Sequence, residues 1–282
     1  MTSWIRATLP KKRPEFKSFL FETTDAGFCT NFNQFLYAHA YAMAEGRALE
    51  VYDLSNPVSV TFPLIKSTFS FEDISGVNFT DSASITSTSL RRYMPRIMDA
   101  VRGMPIQSLR AIAQDVFQWK ESFIPTLEAV LNTAKFPAEF DLGIHIRVGD
   151  RIAMRDRRAV PVEDYLRAAK KFQGTKETLN IFLMSDSVNA ITEFKKKADK
   201  SWKIYGLPQS LPNPEGHLQS QFNRAPARAR LAAFHTFMAE LLVMQSINDI
   251  ICTFSSNVGR FLYYTVEFPE RIISLDEKFA VK

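Results

Sequence analysis

The feature that most constrains this chain is a regular alternation, through its second half, of short apolar runs with stretches whose apolar residues recur at helical spacing. Apolar runs at 142–146, 180–184, 202–205 and 250–253 alternate with helical patterns at 162–172, at 188–197 and in a long stretch that reaches Ser246. Apolar runs of that length read as strands buried on both faces, and a helix between successive strands makes them parallel. An α/β domain built on a parallel sheet is therefore expected. The first half opens in the same way: an apolar stretch from Phe19, a turn at Asp25-Ala26-Gly27, helical spacing over 31–45, and a strand over 48–52. Between 67 and 89 the chain is rich in Ser and Thr with little periodicity, which predicts irregular structure, and 106–133 predicts one helix kinked at Pro125. The run Lys135-Phe136-Pro137-Ala138-Glu139 reads as a boundary, giving expected domains 1–135 and 136–282.

Composition narrows the function. A length of 282 residues fits two domains, and 46% hydrophobic residues with no low-complexity run predict a folded chain. The net charge of +5 is dispersed, so composition gives no footprint for nucleic acid, whereas a small polyanion such as a nucleotide diphosphate suits it. The two cysteines, Cys29 and Cys252, sit far apart in apolar contexts and are expected to be buried free thiols. The first sixteen residues lack the apolar core of a signal peptide, and no run approaches the ~20 apolar residues of a membrane span. A soluble, cytoplasmic protein is the expectation.

Three strand ends carry chemistry. Gly143-Ile144-His145-Ile146-Arg147-Val148-Gly149-Asp150-Arg151 delivers a guanidinium, a turn, a carboxylate and a second guanidinium to the carboxyl end of a strand, where open α/β sheets bind ligands. An arginine there can donate paired hydrogen bonds to phosphate and stabilise the charge on a departing diphosphate; a surface pair of Arg147 with Asp150 is the plainer alternative. Asp249 to Asn257 is a buried strand ending in Ser255 and Ser256 at a helix start, which suits a phosphate or simple N-capping. Ser185-Asp186-Ser187 is a weaker signal of the same kind. Glu240 stands among Phe237, Met238, Leu241 and Leu242, and a carboxylate in such surroundings needs a partner. The adjacent ring N–H and amino group of guanine would supply one, and a nearby Lys or Arg would supply another. No Asp-x-Asp pair, clustered histidines, phosphate-binding Gly-x-x-x-x-Gly-Lys loop or Gly-x-Ser-x-Gly elbow is present, so no metal and no cofactor are expected.

With these motifs in order the chain resembles the fucosyltransferase superfamily, which includes the core α-1,6-, nodulation-factor, α-1,2- and protein O-fucosyltransferases. His145-Ile146-Arg147 with Asp150 is like the family's His-x-Arg-x-x-Asp. Cys252-Thr253-Phe254-Ser255-Ser256-Asn257 with Arg260 is close to Cys-Thr-Phe-Ser-Ser-Gln-x-x-Arg of the core enzymes. Gly27-Phe28-Cys29-Thr30-Asn31 resembles their N-terminal glycine loop, with one glycine where they tend to have two. The resemblance implies a GT-B-like architecture of two Rossmann-like domains facing across a cleft, an acceptor domain followed by a donor domain. It implies an inverting, metal-independent transfer of fucose from GDP-fucose to a glycan or other hydroxyl acceptor. Arg147 would meet the β-phosphate, Ser255, Ser256 and Asn257 the diphosphate, and His145 and Glu240 the guanine; Asp186, Gly27, Phe28 and Asn31 would complete the donor site. Val148 stands where the core enzymes have a second arginine, so Arg151 or an arginine from another loop is expected to supply that charge, and Asp156, beside the Arg155 that occupies the position of their glutamate, is the expected base. Another GDP-sugar, GDP-mannose or GDP-rhamnose, and a non-catalytic GDP-sugar or glycan-binding protein are the alternatives.

Overall fold

The computed structural model describes residues 19–22, 27–52, 69, 77–80, 88–89, 94–149, 160–209 and 214–281. They divide into two compact units, one made of Met1–Lys120 with Ala280–Lys282 and the other of Glu121–Phe279. Among the described residues no helix is long and apolar enough to cross a membrane.

In the first unit four parallel strands, β1 (Phe19–Glu22), β2 (Leu49–Tyr52), β3 (Val77–Thr80) and β4 (Thr88–Ser89), lie in the order β3-β2-β1-β4. Two of them fall in the stretch expected to be irregular. Val77 and Phe79 supply an alternation too short to rise above the Ser- and Thr-rich background, so only pairing with β2 reveals it. Helix α1 (Phe28–Ala44) follows β1 and buries Phe32, Phe35 and Leu36. Phe32 meets Phe69 and Phe117 with ring centroids 5.4 and 5.6 Å apart, so one aromatic cluster joins α1 to later parts of the unit. Helix α2 (Met94–Arg102), unanticipated in the sequence, and helix α3 (Ile106–Val116) both pack on α1.

The helix expected over 106–133 is two helices. Helix α3 ends at Val116 and α4 (Ile124–Leu131) starts anew, with Pro125 in its first turn. Proline lacks an N–H that the first turn leaves unbonded anyway, so Pro125 opens a helix instead of kinking one. Helix α4 packs against the long helix of the second unit, with the Phe123 and Phe234 rings 6.2 Å apart, and so belongs to the compact unit that starts at Glu121.

The second unit holds a five-stranded sheet of β5 (Leu142–Ile146), β6 (Leu179–Ser185), β7 (Trp202–Tyr205), β8 (Ile250–Cys252) and β9 (Ile272–Ser274), all parallel, in the order β7-β6-β5-β8-β9. One face carries Leu142, Ile144, Ile146, Ile181 and Leu183, which pack on Val162, Tyr165 and Ala169 of α5 (Val162–Gln173) and on Ala190 and Phe194 of α6 (Val188–Lys197). Burying each such large apolar side chain stabilises the fold by about 1.5–3 kcal/mol. The alternation of side chains turns Gly143, His145, Phe182 and Met184 to the other face. There α8 (Ala227–Ser246), preceded by the short α7 (Gln219–Arg224), packs so closely that a Cβ on Gly143 would lie 2.9 Å from Met244 Sδ. Helix α9 (Asn257–Thr265) leads from β8 toward β9. Cys29 and Cys252 are buried free thiols.

Candidate functional site

In the second sheet the chain turns left and right of β5: β6 and β7 lie on one side, β8 and β9 on the other. A sheet wound in both directions opens a crevice at the carboxyl ends of the two strands flanking the reversal, here β5 and β8. Two of the motifs read from the sequence end there, and the third ends beside them on β6.

Arg147 follows β5 directly. Its Nη1 donates to Asp186 Oδ2 at 2.5 Å, and the Val148 N–H donates to Asp186 Oδ1 at 2.9 Å. Asp186, expected on the donor, thus spends both carboxylate oxygens on the β5 turn and fixes the guanidinium. The pair is only part-buried, with side chains 21% and 11% exposed. The packing leaves no room for a side chain at 149. A Cβ on Gly149 would collide with Asp186 Oδ2 and lie 2.6 Å from the His217 carbonyl. Gly216, at φ +107°, brings the loop before α7 onto this turn, where a Cβ would sit 2.5 Å from the Gly149 nitrogen. Ser187 N-caps α6, accepting from the Ala190 N–H at 3.2 Å, and its hydroxyl donates to the Pro214 carbonyl at 2.7 Å, tying the same loop down. Asp150, Arg151 and Asp156 lie outside the described residues.

At the end of β8 the expected phosphate loop is held by a residue the sequence did not bring forward. Asp276 accepts the Phe254 N–H at 2.9 Å, the Ser255 N–H at 3.3 Å and the Ser255 hydroxyl. Ser255 is thereby tied to Asp276 through both its N–H and its hydroxyl. Burial pushes the Asp276 carboxyl up, yet hydrogen bonds from Ser255 and Ser274 and from the Glu277 and Phe254 N–H groups outweigh it and hold the carboxyl below its ordinary value. Ser256 is different. It occupies the N-cap of α9, is 3% exposed, and makes no side-chain cap bond. Gly259 lets the first turn of α9 lie against the strand end, where a Cβ would strike the Thr253 carbonyl and approach Cys252 Sγ to 3.2 Å. Arg260, buried in the same turn, donates to Asn257 Oδ1 at 3.3 Å, so the donor end of that amide is the end turned away from it.

Another part of the crevice is built on the opposite side of the sheet from α5, by α8. Helix α8 runs antiparallel to the strands, as the connection to a parallel strand requires. Glu240 is one turn before Met244, about 6 Å along the helix, and His145 is two residues beyond Gly143, about 6.6 Å along the strand. Since Met244 packs on Gly143, Glu240 lies level with His145 on one face, toward the carboxyl ends. Glu240 is 8% exposed, and among the described residues nothing hydrogen-bonds or ion-pairs with it. Burial alone pushes its carboxyl up to about 8.

A second residue missed in the sequence, Tyr165 of α5, stands beneath the crevice. Its hydroxyl is buried beside the Thr253 side chain and the Arg147 backbone, and burial raises its phenol well above the ordinary value against the pull of those two neighbours. The sequence shows it only as one apolar-face position of an amphipathic helix. Gly27, Phe28 and Asn31 belong to the first unit: Gly27 is the N-cap of α1, Phe28 its half-buried first residue, and Asn31 is buried in its first turn.

Two Rossmann-like units with parallel sheets define the GT-B-like class of α/β proteins. No protein-family model matches the chain, and no curated protein sequence does. Solved structures do match. NodZ alpha-1,6-fucosyltransferase co-crystallized with GDP aligns with a TM-score of 0.62 at 15% identity over 93% of this chain and 96% of that one, and fucosyltransferase NodZ from Bradyrhizobium with 0.61 at 14% over the same shares. A mutant of FUT1 from Arabidopsis thaliana in complex with GDP aligns with 0.53 at 10% identity, over 93% and 71% of the two chains. An apo form of POFUT1 aligns with 0.51 at 10%, over 94% and 99%. The chain has the fold of the fucosyltransferases.

Proposed function

We propose that this protein transfers fucose from GDP-fucose to a hydroxyl of a glycan or other acceptor, with inversion and without a metal ion. The observation that carries the reading is Glu240, a buried carboxylate with no partner among the described residues, level with His145 at the carboxyl ends of the sheet. Guanine meets that need, because its ring N–H and amino group present two donors to two acceptor oxygens. GDP and GDP-fucose appear in structures of the same fold, which supports the choice of nucleotide.

In this reading the acceptor oxygen attacks the anomeric carbon while the bond from that carbon to the β-phosphate oxygen breaks. GDP leaves with the electron pair, and the acceptor proton passes to Asp156. Arg147, aimed by Asp186, and the first turn of α9 at Ser256 and Asn257 offset the charge growing on the diphosphate, the work that a divalent cation does elsewhere. Arg151 would add a second positive charge.

The test is to offer the protein GDP-fucose, GDP-mannose and GDP-rhamnose in excess EDTA and follow release of GDP. Turnover of GDP-fucose above the others supports the reading, and Asp156→Asn should then lower kcat while leaving GDP affinity intact. Preference for another sugar would reassign the donor. GDP binding without any turnover would make this a binding protein, and activity that returns only with Mn²⁺ or Mg²⁺ would contradict metal independence.

A further inference from the structure

The donor reading leaves unexplained why a carboxylate stands at the edge of a site that should bind a dianion. Asp276 lies just past β9, and the register Cys252↔Ser274 carries it level with Phe254, at the mouth of the loop between β8 and α9. It is the hub of that loop. Its Oδ1 accepts from the Phe254 N–H, from the Ser274 hydroxyl at 2.9 Å and from the Glu277 N–H at 2.8 Å; its Oδ2 accepts from the Ser255 N–H and hydroxyl. The Ser274 hydroxyl also lies 3.0 Å from the Phe254 nitrogen, and Leu275 N–H closes the ladder onto the Cys252 carbonyl at 3.0 Å. At the other end of the same strand pair, Arg271 bonds Asp249 through Nε at 2.9 Å and through Nη2. Glu277, next to Asp276, lies 3.6 Å from Arg260, the residue that holds Asn257.

The consequence falls on Ser256. With the two residues before it clamped, Ser256 enters α9 in extended conformation at φ −85° and ψ 137°, its side chain buried yet making no bond to the helix it caps. Serine at an N-cap ordinarily accepts from the second or third N–H of its helix, and Ser256 does not, which leaves its hydroxyl for another partner. A carboxylate spent on five protein donors has few lone pairs left to repel a phosphate directly, and its charge is dispersed over the loop.

We propose that Asp276 is a positioning residue of the donor site: it fixes Phe254 and Ser255 so that Ser256 and the first turn of α9 are presented to the diphosphate. This rests on the GDP-sugar reading above. It predicts a defect confined to one end of the nucleotide, because the guanine end is held from α8 and β5.

The experiment measures binding of GDP, inorganic pyrophosphate and guanosine to the full chain and to Asp276→Asn, well below the melting temperature of each. Asp276→Asn should weaken GDP by about tenfold to a hundredfold, the size expected on losing charged hydrogen bonds that preorganise a loop, and weaken pyrophosphate in parallel while guanosine stays within about twofold. A lower melting temperature with unchanged GDP affinity, or equal losses for GDP and guanosine, would make Asp276 merely structural and overturn the proposal. Should Asp276→Asn fail to fold, Ser255→Ala and Ser274→Ala each remove one hydroxyl from the same carboxylate, and the same split between GDP and guanosine, several-fold in size, is required of them. Wild-type protein that binds neither GDP nor pyrophosphate would overturn the donor reading and this proposal together, whereas wild-type binding with unaffected variants would overturn the proposal alone.

Discussion

Arg147 and Asp186, 39 residues apart in sequence, meet through a 2.5 Å contact at the ends of neighbouring strands β5 and β6. The carboxylate also takes the Val148 N–H, so the turn and the guanidinium are fixed by one group. Arg147→Ala should lower kcat/KM by roughly two to three orders of magnitude with folding preserved, and Arg147→Lys should recover only part, since the planar paired N–H geometry is lost. Asp186→Asn should cost about tenfold to a hundredfold. If Asp186 acts by aiming Arg147, the double variant should be scarcely worse than Arg147→Ala alone; additive losses would give Asp186 a contact of its own with the donor.

Gly149 has no room for a side chain. A methyl group there meets the Asp186 carboxylate and the His217 carbonyl, and only the first of these sits on a movable side chain. Gly149→Ala should destabilise the fold by about 1–3 kcal/mol and, by displacing Asp186, weaken GDP as well. Gly103→Ala is the control: its Cβ would find nothing nearer than the Ala100 carbonyl at 3.4 Å, so stability should change by less than about 0.5 kcal/mol. Denaturant titration of the two variants reads both outcomes. Equal effects would show that the β5 turn has room to adjust.

In the proposed reading Glu240 makes the donor site sensitive to pH. Its carboxyl is raised from an ordinary 4.5 to about 8 by burial, so between those values the folded protein holds a proton that the unfolded chain does not. Folding stability therefore falls as pH rises through that window and levels off above it, and Glu240→Gln should remove this slope. Guanine recognition has the opposite sign, because it needs the ionised carboxylate. GDP affinity should rise by about tenfold per pH unit toward pH 8 and then flatten, with one proton released on binding. Calorimetry in buffers of different ionisation enthalpy counts that proton, and a flat profile from pH 6 to 8 would remove Glu240 from the site.

The second unit was the more legible half because its central strands β5, β6 and β8 are buried on both faces, which writes them into the sequence as nearly continuous apolar runs between amphipathic helices. Both ends of 142–146 were readable for that reason. Short strands such as Thr88–Ser89 carry no such mark, and the break at Pro125 could be read as a kink or a new start until α4 was seen to pack on α8. In the site, residues that end apolar strands announced themselves, as Arg147 and Ser256 did. Asp276 did not, since its meaning depends on β9 pairing with β8; the signal was Ile272-Ile273-Ser274-Leu275 running into an acid, the same form as the other two strand ends. Tyr165 was hidden as an ordinary core position. The lack of a partner for Glu240 is a fact about space that no spacing in the sequence contains.

The central claim is that Glu240 reads guanine, and the most direct measurement is calorimetric titration of GDP, ADP and UDP into wild-type protein and Glu240→Gln at pH 8. Each hydrogen bond to the ionised carboxylate should contribute about 1.5–3 kcal/mol, so GDP should bind at least tens of times more tightly than ADP or UDP. Glu240→Gln sets an amide donor against a guanine donor, and GDP affinity should fall toward that of ADP while ADP changes little. Equal affinities for the three nucleotides, or an unaltered preference for GDP in Glu240→Gln, would contradict the account.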